Sequence, residues 1–138
     1  MKLLIYILAI AIMNTFSSDI LEKYKWKNRV IILSVKEIAE PELNRQLNEL
    51  KLNWKGVLDR DLVVLIQRDN LMQYTPDEMF STDKSLDMSL LDDAADFQFL
   101  LIGKDGTVKM MSEEMVAHEK LFSTIDAMPM RKQEMRDN

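Results

Sequence analysis

Sulfur and imidazole donors crowd one short stretch near the C-terminal end of the chain. Met110, Met111 and Met115 precede His118, the single histidine. Thioether and imidazole groups are ligands that could hold copper(I). Eleven methionines among 138 residues make chance clustering easy, however, and methionine ordinarily fills gaps in a core. We therefore interpret these methionines as packing residues, and we expect neither a bound metal nor another cofactor.

The histidine and one arginine could take part in other chemistry. His118 lies one turn before Leu121 and Phe122, which indicates a structural histidine at a helix start rather than a catalyst. Arg131 follows a Met-Pro-Met sequence, and its planar guanidinium could bind the carboxylate or phosphate of a ligand. The alternative for Arg131 is capping of the preceding helix or pairing with an acidic side chain of the same chain. We keep Arg131 as a candidate ligand-binding residue.

A third possible site is a run of acidic side chains in the middle of the chain. These residues are Asp83, Asp87, Asp92, Asp93 and Asp96. Carboxylates are the ligands that calcium prefers. The spacing lacks the alternating acidic positions and the central glycine of an EF-hand, so we predict a solvated loop and helix face instead.

The composition excludes several classes of function. The chain has no cysteine, which excludes thiol chemistry and a lipid-modified cysteine anchor. Its formal net charge is −5, and its only basic cluster lies at residues 23–29, so nucleic acid is not an expected partner. With 47% hydrophobic and 30% charged residues, the chain has the balance of an ordinary globular domain.

The first residues have the pattern of an export signal. Lys2 is followed by an apolar run at residues 3–13, and Thr15 and Ser17 are small residues suited to a signal peptidase. An uncleaved anchor is the alternative, but the apolar run is well short of the roughly 20 residues that cross a bilayer. We predict a signal peptide at residues 1–17 and a single domain at residues 18–138. We expect this mature domain to be periplasmic or secreted, without a membrane partner.

Continuous apolar runs set the first half of the predicted fold. Residues 30–35 and 61–67 are typical of strands buried on both faces. Between them, Pro41 opens a helix and Gly56 is its predicted stop. The apolar face of this helix comprises Leu43, Leu47, Leu50 and Trp54. A strand, a helix and a strand in this order predict parallel pairing through a right-handed crossover.

The second half begins irregularly and ends as a hairpin and a helix. Pro76 interrupts residues 68–96, where leucines at 86, 90 and 91 indicate a short helix. Residues 97–102 form a third apolar strand, and Asp105-Gly106 predicts a tight turn before a returning strand that contains Val108. A last helix is predicted over residues 117–128, ended by Pro129 and followed by a polar tail. The predicted order is β-α-β-α-β-β-α, with a parallel front half and a C-terminal β-hairpin plus helix.

This order is that of thioredoxin-like α/β proteins, and four local stretches point to one family. They are Trp26-Lys27-Asn28-Arg29-Val30, Asp61-Leu62-Val63-Val64, Leu101-Ile102-Gly103-Lys104-Asp105-Gly106 and Ile125-Asp126-Ala127-Met128-Pro129-Met130-Arg131. Together they resemble an exported domain-of-unknown-function family with a peroxiredoxin/thioredoxin-like fold. That family also occurs in vertebrate extracellular proteins of the sushi-repeat and coiled-coil-domain type. The resemblance implies a thioredoxin-like fold over nearly all of the mature chain.

The chain departs from redox thioredoxins at both halves of their active site. Their nucleophilic cysteine follows the first core strand, where this chain has Ser34, Val35, Lys36 and Glu37 and no thiol. Their cis-proline precedes the third strand, where residues 94–96 contain no proline. The resemblance therefore implies a binding or interaction module, with an envelope or extracellular protein as its partner. The alternative is an enzyme or a redox accessory, peroxide- or metal-related, whose ligand lies in a vestigial groove near Lys36, Glu37 and residues 94–96.

Overall fold

A six-stranded mixed sheet organises the molecule in a computed structural model that describes residues 19–138. The strand order is β4-β3-β2-β1-β5-β6. The strands are β1 (Arg29–Val35), β2 (Leu62–Gln67), β3 (Leu71–Tyr74), β4 (Met79–Ser81), β5 (Phe97–Ile102) and β6 (Val108–Ser112). The predicted signal peptide falls on residues outside this description. Within residues 19–138, none of the helices has the length and hydrophobicity needed to cross a bilayer.

Strand β1 lies in the middle of the sheet and pairs on both sides. It runs parallel to β2, with Arg29 opposite Leu62, and antiparallel to β5, with Val35 opposite Phe97. Its side chains from Arg29 to Leu33 are almost fully buried, as expected for a strand covered on both faces. The predicted parallel front half is therefore present, and the predicted C-terminal hairpin is the antiparallel pair β5–β6.

In the described part of the chain, residues 19–138, five α-helices and two 3₁₀ turns surround the sheet. The helices are α1 (Ile20–Tyr24), α2 (Glu40–Leu52), α3 (Trp54–Asp59), α4 (His118–Asp126) and α5 (Pro129–Asp137). The 3₁₀ turns are Glu37–Ala39 and Met88–Leu90. Alternate residues of the strands belong to two hydrophobic cores, one on each face of the sheet. The face that carries Ile31, Leu33 and Phe99 packs against α2, α3 and α4, and the other face packs against α1 and Leu86.

The helix after β1 forms as predicted but ends earlier. Leu43 and Leu50 are buried, and Leu47 and Trp54 pack against the same core. The predicted stop at Gly56 is wrong, because α2 ends at Leu52 and Gly56 lies inside α3. Glycine at this position allows a close approach, since a Cβ atom there would lie 2.5 Å from the Phe122 ring.

The hairpin β5–β6 has the predicted glycine turn. Gly106 has φ +81°, and its N–H donates to the Gly103 carbonyl at 3.0 Å. Asp105 does not share this positive φ; its carboxylate accepts from the Thr107 N–H at 3.0 Å. Hydrogen bonds from Lys109 and Thr107 lower the pKa of Asp105 to about 2. The turn is thus held by its own side chains.

Three segments differ from their predicted structure. Residues Ile20–Tyr24, for which no helix was predicted, form helix α1, and residues 68–96 contain the β3–β4 hairpin and only a 3₁₀ turn near Leu90. The last predicted helix corresponds to α4. Pro129 follows this helix, as predicted, but it is also the first residue of a further helix, α5. Proline is tolerated at the first helical position because its missing N–H has no partner there anyway, and Pro129 starts α5 in this way. The predicted polar tail is therefore mostly helical.

Candidate binding groove

An open groove lies at the carboxyl ends of the parallel strands β1 and β2. Its volume is about 760 Å³. The floor is apolar, and the rim is charged or polar. The floor residues are Val35, Ile66, Met72 and Met79, and the rim residues are Lys36, Glu37, Arg68, Asp69 and Asn70. In α/β proteins with parallel strands, this edge of the sheet is where ligands ordinarily bind.

The β3–β4 hairpin supplies the methionines of the floor. Met72 pairs with Ile66 of β2 across the sheet, and Tyr74 pairs with Met79 of β4. Because every second residue of a strand faces the same side, Ile66, Met72 and Met79 share the face that also carries Val35. Met79 remains 47% exposed, so the groove is accessible to solvent at the edge of the sheet.

Lys36 lies on the rim but is tied to the loop before β5. Its backbone N–H donates to the Asp96 carbonyl at 2.8 Å, and its Nζ donates to the Asp93 carbonyl at 2.6 Å. Asp96 Oδ1 lies 3.8 Å from the same Nζ. The loop itself borders a separate depression of about 470 Å³ with Ile38 and Ala39. The structure thus places Lys36 and Glu37 in one groove and residues 94–96 in another.

The remaining rim charges balance one another. Arg68 donates to Glu40 Oε2 at 2.6 Å, and both side chains are partly exposed. Glu37 and Asp69 oppose the positive charges of Lys36 and Arg68 around the opening. A rim of mixed charge does not attract a polyanion, which needs an excess of basic side chains.

Arg131 lies away from this groove, in an ion-pair network. Arg131 is 4% exposed, and its guanidinium donates to Asp126 Oδ1 at 3.1 Å, to Asp59 Oδ2 at 2.6 Å and to the Asp59 carbonyl at 2.9 Å. Burial alone would lower the pKa of Arg131, but the hydrogen bonds to Asp59 and Asp126 outweigh it and raise the pKa. The structure therefore shows the carboxylate pairing that the sequence offered as the alternative to ligand binding.

A second half of this network joins the start of β1 to α5. Glu134 accepts from Arg29 and from Lys104, whose Nζ lies 2.6 Å from Oε1. Burial would raise the pKa of Glu134, but hydrogen bonds from Arg29 and Lys104 outweigh it, so the pKa is lowered. Asp61 also accepts from Lys104, at 2.9 Å. Sequence reasoning found none of these pairs, because the partners come from segments far apart in the chain.

The histidine and methionine cluster divides into unrelated parts. Met110 packs against the core, whereas its neighbour Met111 is exposed on the opposite face of β6, so the two sulfurs cannot share one ion.

His118 starts α4, as predicted. Its Nδ1 lies 2.6 Å from Glu49 Oε1, which also accepts from the His118 backbone N–H at 3.0 Å. These hydrogen bonds, the backbone one foremost, lower the pKa of Glu49. His118, Glu49 and Glu119 are close enough to hold a cation, but the same contacts tie α2 to α4.

Arg68, Asp69, Asn70, Met72 and Met79 are groove residues that the sequence reasoning missed. The available signal was the polar Arg68-Asp69-Asn70 break after an apolar strand, which is typical of a short hairpin connection. The strand that follows it is short and half-polar, so its pattern is weak.

The fold and the groove define a cysteine-free α/β domain with an open ligand-sized cleft at the carboxyl edge of its parallel strands. The chain belongs to the family described as Domain of unknown function (DUF4174), whose model matches residues 20–134. No curated protein and no solved structure matched the chain. The four sequence stretches that suggested such a family supply several residues of the ion-pair network: Arg29, Asp61, Lys104, Asp126 and Arg131.

Proposed function

We propose that the protein is an exported, thioredoxin-like binding module that holds a segment of another polypeptide in the groove beside Lys36 and Glu37. The observation that carries this proposal is the apolar floor of Val35, Ile66, Met72 and Met79 at the carboxyl ends of β1 and β2. The parallel β1–β2 pair beside the antiparallel β5–β6 hairpin supports the thioredoxin-like assignment.

The residues after β1 support binding rather than thiol catalysis. In redox thioredoxins this position carries the thiolate nucleophile, whereas here it carries Lys36, whose Nζ is engaged by the Asp93 carbonyl. Neither a lysine amine held by a hydrogen bond nor the neighbouring Glu37 carboxylate can take over disulfide exchange, which requires a sulfur nucleophile.

The lining points to a polypeptide ligand with an apolar side chain. Methionine is unbranched and polarizable, and it is common on surfaces that accept varied apolar partners. Met72 and Met79 can therefore adjust to a side chain inserted between them, while the mixed charges of the rim pair with the polar groups of a peptide. A small anion or a nucleic acid would leave the apolar floor unused.

Selection of peptides on the immobilised domain tests the proposal. A random-peptide display library should yield binders whose affinity, measured by fluorescence anisotropy, falls at least about tenfold in Met79→Lys because a charge then occupies the apolar floor. Met135→Lys is the matched control, since Met135 is 43% exposed on α5 and outside the groove. Failure to enrich any binder, or equal loss of binding in both variants, would overturn the proposal.

A further inference from the structure

The loop after helix α1 carries a tryptophan whose exposure and backbone conformation are both unfavourable for folding. Trp26 is 63% exposed and has φ +67°, a left-handed conformation that is an outlier for a bulky side chain. The residue therefore combines backbone strain with exposure of a large aromatic ring. Strain that the surrounding structure maintains is characteristic of functional positions.

Hydrogen bonds on both sides hold the loop in this conformation. The Trp26 N–H donates to the Lys104 carbonyl at 2.6 Å, which fastens the loop to the β5–β6 turn. The N–H groups of Lys27 and Asn28 both donate to the Tyr24 carbonyl at 2.9 Å. The tryptophan is thus presented by an ordered loop.

Three lysines lie within three residues of Trp26 in the sequence, at positions 23, 25 and 27. Within residues 19–138, no ion pair involves Lys23, Lys25 or Lys27. Lys25 Nζ lies 5.9 Å from the centroid of the Trp26 ring. The nearby Lys104 has its charge matched by Asp61 and Glu134. The loop is therefore a positive patch on a chain whose net charge is −5.

We propose that this loop docks the domain on the surface of a bilayer that contains anionic lipids. Tryptophan favours the headgroup level of a membrane, and each lysine close to an anionic surface adds electrostatic attraction. A lone aromatic ring on a projecting loop fits a deformable headgroup layer. A protein partner would instead need a matching pocket within a contact area of roughly 1,200 Å² or more. The proposal departs from the sequence-based expectation of no membrane partner.

The position of the loop leaves the groove free. Strand β1 starts at Arg29, just after the loop, and its seven residues end at Val35, on the floor of the groove. At about 3.3 Å per residue, roughly 20 Å separate the two ends. Docking through Trp26 would direct the groove away from the bilayer, so the two sites can be tested independently.

Vesicle binding of residues 18–138, which contain every described strand and helix, tests the inference. Trp54→Phe leaves Trp26 as the only tryptophan. Its emission should shift to shorter wavelength with phosphatidylglycerol–phosphatidylcholine vesicles (1:1) and should be quenched by brominated lipid, but should not change with phosphatidylcholine alone. Reversing all three lysines to glutamate should weaken partitioning at least about a hundredfold, since each contributes roughly fivefold. Circular dichroism confirms that each variant folds.

A second triple variant, Lys51→Glu with Lys55→Glu and Lys120→Glu, changes the net charge equally at exposed positions elsewhere and should retain most of the binding. Equal loss in both triple variants, or unchanged binding in Trp26→Ala, would overturn the proposal. So would a saturable Trp26 emission shift with polyglutamate but none with anionic vesicles, because an acidic protein would then be the partner.

Discussion

Glu134 holds Arg29 through two nearly parallel hydrogen bonds that join the end of the chain to the start of its central strand. Arg29 Nη2 lies 3.1 Å from Oε1, and Nη1 lies 3.2 Å from Oε2. Because Arg29 is only 1% exposed, its guanidinium depends on this carboxylate and on the Arg60 carbonyl for compensation of its charge.

Glu134→Ala should therefore destabilise the domain strongly. Removing one partner of a buried ion pair typically costs about 3–5 kcal/mol, because the other charge is left buried without compensation. The measurement is the free energy of unfolding from urea denaturation. Glu42→Ala is the control, since its pair with Arg45 is exposed and should be worth at most about 1 kcal/mol. Equal effects of the two substitutions would contradict the network's role.

Ending the chain after Ala127 should lower the melting temperature by at least about 10 °C. The deletion removes α5 together with Arg131 and Glu134, and a loss of 1 kcal/mol shifts a domain of this size by roughly 3–6 °C. A chain that ends after Met135 lacks only exposed residues and should melt like the full domain. A melting temperature unchanged by the longer deletion would show that α5 adds no stability.

Acid should weaken the same network. The pKa of Glu134 and that of Asp126 are lowered in the folded state from their ordinary values of 4.5 and 3.8. A carboxyl with a lowered folded pKa contributes stability above its unfolded pKa, and this contribution is lost as pH falls through the folded value. The free energy of unfolding should thus drop from pH 6 to pH 3. In Glu134→Gln the drop should be smaller, and an identical drop would refute the lowered pKa of Glu134.

Gly56→Ala should destabilise the domain although alanine is the better helix former. In an exposed helix interior this change gains roughly 0.5–1 kcal/mol. At Gly56 the new Cβ would lie 2.5 Å and 2.7 Å from two carbons of the Phe122 ring, and such overpacking typically costs about 1–3 kcal/mol. Gly56→Ala in a Phe122→Leu background should cost less. Thermal unfolding of the variants tests this prediction. A higher melting temperature in Gly56→Ala would show that the Phe122 ring moves aside freely.

The purified domain should fail to reduce insulin disulfides and should not turn over peroxide with any thiol donor. Disulfide exchange requires a thiolate, and cysteine peroxidases pass through a sulfenic acid that this chain cannot form. Saturable turnover that survives chelation would favour the enzymatic alternative for the groove. Lys36→Ala with Glu37→Ala would then be the first variant to assay.

The elements that sequence reasoning predicted well are those with a strong local pattern. Strands β1, β2 and β5 are continuous apolar runs, and α2 repeats leucines on one face, so each pattern is complete within its own segment. Strands β3 and β4 have three or four residues and partly exposed side chains, so they lack such a pattern. Pro129 was ambiguous because proline both ends one helix and starts another.

The candidate site could be predicted only in part for a related reason. Lys36 and Glu37 follow directly from the position of β1, so the chain order alone placed them at the carboxyl edge. The groove also needs Met72 and Met79, whose placement depends on how β3 and β4 pair. The sequence indicated that Arg131 either binds a ligand or pairs with an acidic side chain of the same chain. Only the three-dimensional structure showed that Asp59, from a helix far earlier in the chain, is its partner.

The central position of β1 also has a consequence for how the protein is made. One edge of β1 can pair once β2 has been synthesised, but the other edge has no partner until residues 97–102 exist. An incomplete chain therefore carries a long apolar strand with an open hydrogen-bonding edge, which is the feature that recruits other chains into aggregates. Pairings between segments so distant in sequence also form slowly. The yield of folded protein should accordingly depend on how quickly the second half of the chain follows the first, and on whether a chaperone covers β1 in the interval.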